Sequence, residues 1–247
     1  MEKNVYYRPL PPSITNSVTI VIAARNEADN LRPFFFDLEK AFIDLRLTFP
    51  VLVINDGSTD HSLPILEELK TKYDFLKVIH HPQSKGLTHV LQTAVNESDT
   101  DWIYLSPADL ESNPSSDLPL LYHACDQRID AVAGWRQNRK DGKVFASKVA
   151  NLTCRLLFGL RINDMNWIKL VRRDLLANLP LERVTHAYFL AVLAKFGYQI
   201  TEVPTPWYPR KSGKSKFGVK RLLPAALKVL QLWWWVKTHP KFLADSV

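Results

Sequence analysis

The sequence predicts an α/β protein with a doubly wound, mostly parallel sheet flanked by helices. Two observations carry this prediction. First, the apolar, β-branched runs Val18–Ala24 and Val51–Ile54 each end abruptly in polar residues and lead into a helical pattern. Buried parallel strands read this way when they deliver side chains to the carboxyl edge of a sheet. Second, strand-like and helix-like segments alternate from there to about residue 136, which requires crossover connections between parallel strands. Ligands of open α/β sheets bind at the carboxyl edge, so residues just after the strands are the first candidates for a site.

The elements follow in order. Strand Val18–Ala24 precedes a helix over about Glu27–Leu47, where Leu31, Phe34, Leu38, Phe42 and Leu45 recur at helical spacing. Strand Val51–Ile54 precedes a helix capped by Thr59 or Asp60 and carrying Leu63, Leu66 and Leu69. Leu76–His80, Trp102–Ser106 and Asp130–Gly134 read as further strands, with a helix over Gly86–Val95. Beyond Arg136 the spacing predicts a helix over Lys143–Phe158, a short strand Trp167–Val171 and a helix Thr185–Phe196. A strand Tyr198–Val203 is then stopped by Pro204 and Pro206. A basic loop, Pro209–Phe217, leads to an amphipathic helix over about Val219–Lys237. No linker or repeat divides the chain, so the expected organisation is one catalytic unit over residues 1–217 and a C-terminal amphipathic helix over 218–247.

Bulk properties narrow the function classes. The 247 residues are 46% hydrophobic and 23% charged, enough apolar surface for a sizeable core and too much for disorder. The net charge of +7 suits an anionic partner. Nucleic acid is not the expected partner, because no motif interleaves the basic residues with exposed aromatics. Two cysteines, Cys125 and Cys154, are too few for a disulfide framework and suit a reducing compartment as buried thiols. No apolar segment follows Glu2 and Lys3, so no signal peptide is expected.

Polar residues at the strand ends carry the chemistry. Asp56 follows the second strand, where its carboxylate can accept hydrogen bonds from a base N–H or from ribose hydroxyls. Gly57 and Ser58 permit a tight turn and close approach of a ligand; a plain polar turn has the same composition. Glu27 can cap its own helix or face the same ligand. Lys85, in Gln83–Leu87, can meet ribose or phosphate or sit at a solvated helix start.

Residues Ile22–Glu27 and Asn55–Asp60 resemble the opening of family 2 glycosyltransferases with the GT-A (Rossmann-like) fold. Gly134–Arg139, Asn163–Lys169 with Arg172 and Arg173, and Glu202–Pro204 with Arg210–Lys216 are similar to the polyprenyl-phosphate sugar transferases, the dolichol-phosphate-mannose-synthase-like group. The resemblance runs in order from about Val18 to Phe217. It implies an enzyme that moves a sugar, with inversion, from a nucleoside-diphosphate sugar (GDP-mannose or a UDP-sugar) to a polyprenyl or dolichyl phosphate. It implies that Ala23, Arg25, Glu27, Asp56, Lys85, Asp109, Arg210 and Lys216 bind the nucleotide sugar. It implies that Arg136, Arg139, Lys143 and Ser147 hold the acceptor phosphate, and that Asp109, Arg136, Asp164 and Lys169 are catalytic.

The family usually carries Asp-x-Asp after its fourth strand to hold a divalent cation, Mg or Mn. Here the first of those positions is Pro107, the second is Asp109, and Glu111 follows two residues on. In an extended segment Asp109 and Glu111 would face one side, and a hard cation that keeps its waters needs only one or two carboxylates. A nucleotide-sugar-binding relative without turnover, or a transferase to another lipid or glycan, remain alternatives.

In the final segment, Leu223, Leu227, Leu230 and Trp234 form one helical stripe, accompanied by Lys220, Arg221, Lys228, Trp233–Trp235 and Lys237. Trp and basic residues are those that settle at a membrane interface. The expected location is therefore peripheral, at the cytoplasmic face of a membrane. A helix packed on the catalytic unit, a homo-oligomer contact and a membrane subunit contact fit the same stripe.

Overall fold

The computed structural model describes residues 17–126, 128–139, 144–209 and 222–239. Its strands are β1 (Val18–Ala24), β2 (Val51–Asp56), β3 (Leu76–His81), β4 (Trp102–Pro107), β5 (Ala131–Arg136), β6 (Lys169–Arg172) and β7 (Ile200–Thr205). Its helices are α1 (Ala28–Leu45), α2 (Ser62–Lys72), α3 (Leu87–Glu97), α4 (Pro114–His123), α5 (Val144–Phe158), α6 (Arg173–Ala177), α7 (Leu181–Lys195) and α8 (Leu222–Thr238). The seven strands form one sheet in the order β3-β2-β1-β4-β6-β5-β7.

Pairing is parallel except at β6, which runs antiparallel to both β4 and β5. Successive side chains of a strand serve opposite faces. Ile20 and Ile22 of β1 therefore enter the layer under α1, α2 and α4, while Val21 enters the layer under α3, α5 and α7. In the first layer Phe34 is fully buried, and truncating such a side chain to Ala costs about 3–5 kcal/mol. Val229, Leu232, Trp235 and Val236 anchor α8 in the second layer, where it contacts α5 and α7.

Several boundaries differ from the sequence-based expectation, for local reasons. α2 starts at Ser62, after His61 rather than after Thr59 or Asp60. Asp60 instead bridges two loops, accepting the Ser62 N–H at 2.9 Å and the Ala28 N–H at 3.2 Å. α4 was not expected from the sequence; Pro114 occupies its first turn, where its missing N–H costs nothing. β7 runs on through Pro204 to Thr205, which an edge strand tolerates. α7 starts at Leu181 and is interrupted at Thr185, whose φ of 62° and ψ of 158° are non-helical.

The boundary drawn between residues 217 and 218 falls outside the described residues. Cys154 is buried and Cys125 half-buried, and burial pushes both thiols up to about 12. No helix among the described residues is long and apolar enough to cross a membrane.

Candidate functional site

The site lies along the carboxyl edge of the sheet and has two ends. At the first, the loops after β1, β2 and β3 are tied to one another. Asn26, in the left-handed region at φ 58°, donates its N–H to Ser58 Oγ at 2.9 Å and accepts the Thr59 N–H on Oδ1 at 2.8 Å. Glu27 donates its N–H to Ser62 Oγ, and its carboxylate accepts from Asn30 Nδ2 at 2.6 Å. Asn55 Oδ1 accepts from the Ser58 hydroxyl.

Asp56 is the centre of this end. Oδ1 accepts from His81 Nδ1 at 2.9 Å and from the Lys85 N–H at 2.8 Å; Oδ2 accepts from Ser84 Oγ at 2.7 Å and from the Gly86 N–H at 2.9 Å. His81 Nε2 pairs with Thr93 Oγ1 at 3.0 Å. The carboxylate thus holds the two residues that lead into α3, near a helix start whose dipole favours an anion. Burial alone would raise its pKa, but the four hydrogen bonds outweigh it and lower the group to about 2. Both carboxylate oxygens of Asp56 thus accept from donors of the protein's own residues 81–86 and fix the shape of that loop.

Gly57 has a related explanation. A Cβ there would sit 2.4 Å from the Ser84 nitrogen, so the backbone that approaches it closely is the protein's own 83–84 loop. Lys85 is held through its N–H while the rest of the residue is exposed. Arg25 is exposed, and Ala23 accepts the Ala108 N–H at 3.2 Å, which joins β1 to the segment carrying Asp109.

That segment is not extended. Leu110 adopts φ 57° and the Glu111 N–H turns back to Asp109 Oδ1 at 3.2 Å, so the expected same-side alignment of an extended run does not apply. Trp207 Nε1 reaches Glu111 Oε2 at 3.4 Å, and the Tyr208 N–H donates to the Glu111 carbonyl at 3.0 Å. Asp109 is buried and Glu111 half-buried. No group of three acidic, His or Cys residues gathers among the described residues. Two carboxylates on one turn still fit a hard cation that completes its shell with water and phosphate oxygens.

At the second end, Gly134 lets the Trp167–Ile168 segment lie flat against β5; a Cβ there would meet Ile168 Cγ1 at 2.6 Å. This brings Arg136 at the end of β5 onto Asp164, with Nε to Oδ2 at 2.6 Å and Nη2 to Oδ1 at 2.9 Å. The pair is a two-point ion pair with both side chains 7% exposed. The guanidinium lies 4.6 Å from the Trp167 ring centre, and the Trp167 indole N–H donates to Thr205 Oγ1 at 3.2 Å.

Lys169 is at the site because β6 runs antiparallel, so its first residue pairs with Leu105 of β4 and Ala133 of β5, towards the carboxyl edge. Its ammonium donates to the Trp167 carbonyl at 2.7 Å and lies 5.5 Å from the Phe189 ring. Burial lowers its pKa to about 8, against the opposing pull of Asp164 and with a further push from Arg136. Arg139 Nη1 donates to Ser147 Oγ at 2.9 Å, so these two expected phosphate ligands meet. Lys143, Arg210 and Lys216 lie outside the described residues.

Two residues went unnoticed in the sequence. His186 shares a 3.1 Å hydrogen bond with Thr88 of α3 and so links the two ends. Burial, then Lys169 and Lys228, lower its pKa to about 4, so it is neutral near pH 7. Beside it, Thr185 holds a backbone conformation that costs a β-branched residue of order 1–3 kcal/mol. Neither carried a signal, because both sit in a segment that reads as an apolar helix.

Comparison with known proteins fits this geometry. The family model described as Glycosyl transferase family 2 matches residues 19–186, more than half of the chain and both ends of the site. The chain belongs to glycosyl transferase family 2. One relative of this family 2 chain is the undecaprenyl-phosphate 4-deoxy-4-formamido-L-arabinose transferase of Pseudomonas fluorescens. The two are 28% identical over 87% of this chain and 64% of the relative. Another is the dodecaprenyl-phosphate galacturonate synthase of Rhizobium johnstonii, 23% identical over 89% of this chain and 67% of the relative. The chain thus spans about two thirds of the length of these proteins.

Among solved structures, a mannosyltransferase of Pyrobaculum calidifontis in complex with GDP-Man and Mn²⁺ superposes with a TM-score of 0.63 at 15% identity. The match covers 99% of this chain and 73% of that one. Glucosyl-3-phosphoglycerate synthase of Mycobacterium tuberculosis, in complex with Mn²⁺, UDP and phosphoglyceric acid, gives 0.60 at 16% identity over 88% and 76%. At these identities the likeness establishes the GT-A fold.

Proposed function

We propose that this family 2 chain transfers a sugar from a nucleoside-diphosphate sugar to a polyprenyl phosphate at a membrane surface, with inversion at the anomeric carbon. The observation that carries the reading is the buried Arg136–Asp164–Lys169 cluster at the same sheet edge as the loop organised by Asp56. The activities named for the two relatives, both on polyprenyl phosphates, support the acceptor class.

In this reading an oxygen of the lipid phosphate forms the new bond to the anomeric carbon, and the bond from that carbon to the nucleoside diphosphate breaks. The acceptor is already an anion near pH 7, so it needs positioning more than a general base. Arg136 is a rigid two-point donor locked by Asp164. Lys169, a buried cation behind it, adds positive potential where negative charge must be brought together. Arg139 and Ser147 offer further donors. Asp56 acts through the loop of Ser84, Lys85 and Gly86, which it holds open for the donor nucleotide. Asp109 and Glu111 are the residues that would hold a divalent cation, Mg or Mn. When bound, such an ion offsets the charge that develops on the leaving diphosphate.

The test is a transfer assay. Labelled UDP- and GDP-sugars are offered with a polyprenyl phosphate, with and without Mg²⁺ or Mn²⁺. The expected result is label in the lipid phase that disappears with a chelator. Nucleotide binding with no transfer from any donor would overturn the reading in favour of a binding relative without turnover.

A further inference from the structure

The α5 and α8 side of the molecule is apolar where water should be. Leu152 and Leu156 on α5, and Leu227, Leu230 and Trp234 on α8, are each more than half exposed, and the two helices are in contact. Single exposed apolar residues are ordinary, whereas stripes on neighbouring helices mark an interaction surface. Exposed Lys148 and Arg155 accompany the first stripe, and exposed Lys228 and Lys237 the second.

A cleft of about 640 Å³ opens between the start of α7 and α8. Arg183 and Lys228 supply positive charge to its lining and Glu182 the single negative charge; Gln231 adds an uncharged donor, and Leu232 and Trp235 the apolar part. The Arg183 guanidinium lies 5.5 Å from the Trp235 ring centre, and that ring is stacked on His239 at 5.2 Å. Neither Arg183 nor Lys228 has a carboxylate within ion-pair distance among the described residues. Two exposed cations without carboxylate partners among the described residues, over an aromatic floor and beside an apolar stripe, suit a phosphate with hydrocarbon attached.

We propose that this cleft seats the headgroup phosphate of an anionic membrane lipid, with the apolar stripes of α5 and α8 dipping into the hydrocarbon beside it. Charge complementarity selects this occupant. A second copy of the same face would set Arg183 and Lys228 against like charge, and an uncharged apolar partner would leave both cations desolvated and unpaired. None of Arg136, Arg139 and Ser147 lines the cleft, so it docks the protein rather than holding the acceptor. The inference rests on the lipid-acceptor reading only for the presence of a membrane.

The test is sedimentation of the protein with phosphatidylcholine vesicles, with and without phosphatidylglycerol. Arg183→Gln with Lys228→Gln is expected to weaken binding to the anionic vesicles about thirtyfold. Lys70→Gln with Lys77→Gln, an equal charge change on α2 and β3, which contribute nothing to the cleft lining, is expected to leave binding within about twofold. Arg183→Lys with Lys228→Arg keeps the charge and is expected to restore binding, which guards against a folding defect. Equal losses from both neutralised pairs would overturn the site in favour of diffuse attraction. Release from vesicles by low millimolar inorganic phosphate would assign the cleft to free phosphate and overturn the lipid. Self-association without vesicles that Leu156→Glu abolishes would give the face to a second copy. Vesicle binding needs no turnover, so a protein that docks as expected but transfers no sugar would sink the proposed function alone.

Discussion

The two ends of the site are built on opposite principles. Around Asp56 a single charge is surrounded by neutral donors that all come from residues 81–86, and burial is outweighed by hydrogen bonds. Around Arg136 the charges are several, buried and drawn from β5, the segment before β6, and β6 itself, with a depressed lysine among them. The first arrangement makes a rigid frame that a ligand can rest on. The second stores electrostatic potential that a ligand can use. The contrast predicts that damage at the Asp56 end weakens nucleotide binding, whereas damage at the Arg136 end stops turnover.

The largest effect is expected at Arg136. Arg136→Ala should lower transfer by about 10²–10³-fold while nucleotide affinity, measured by calorimetry, stays the same. It also strands the buried Asp164, so thermal unfolding should report a loss of about 3–5 kcal/mol. Unchanged transfer would break the comparison outright. Asp56→Asn comes next, because an amide replaces one accepting oxygen with a donor and disrupts the loop. Nucleotide binding should weaken by about tenfold or more with a smaller change in turnover at saturating donor, and amide exchange at Lys85 and Gly86 should accelerate.

A third, more graded effect concerns pH. Lys169 is protonated below about 8, so transfer should decline as pH rises through 8 where its charge is needed, and Lys169→Arg should remove that decline. Fold stability should move the other way over the interval from about 8 to the ordinary lysine value of about 10.4, because the native state holds fewer protons there than the unfolded chain. The smallest effect is expected at Thr185. Thr185→Gly removes the cost of a conformation that only glycine adopts freely and should raise stability by about 1 kcal/mol, read from chemical denaturation.

The same contrast explains what the sequence could tell. Val18–Ala24 and Val51–Ile54 announced their strands because a buried parallel strand is a continuous apolar run, and Asp56 was legible as the polar stop after one of them. That Asp56 serves its own loop was not legible, since its partners His81, Ser84, Lys85 and Gly86 lie across a whole helix in sequence. Arg136 and Asp164 were each singled out, but 28 residues separate them and nothing local says that they pair. The antiparallel sense of β6 was hidden as well, because four residues carry no directional signal. Thr185 and His186 were invisible within an apolar helix, where tertiary contacts alone give them their properties.

The short strand β6 has one more consequence. Among the described residues, β3-β2-β1-β4 and β5-β7 share no backbone ladder with each other except through the four residues Lys169–Arg172. During synthesis the first block can assemble as soon as β4 has emerged, whereas β5 must wait for a strand made later to slot in beside it. The two halves of the site are thus stitched by a seam completed last, and a change that loosens this seam would let each half keep its own structure while losing its alignment with the other.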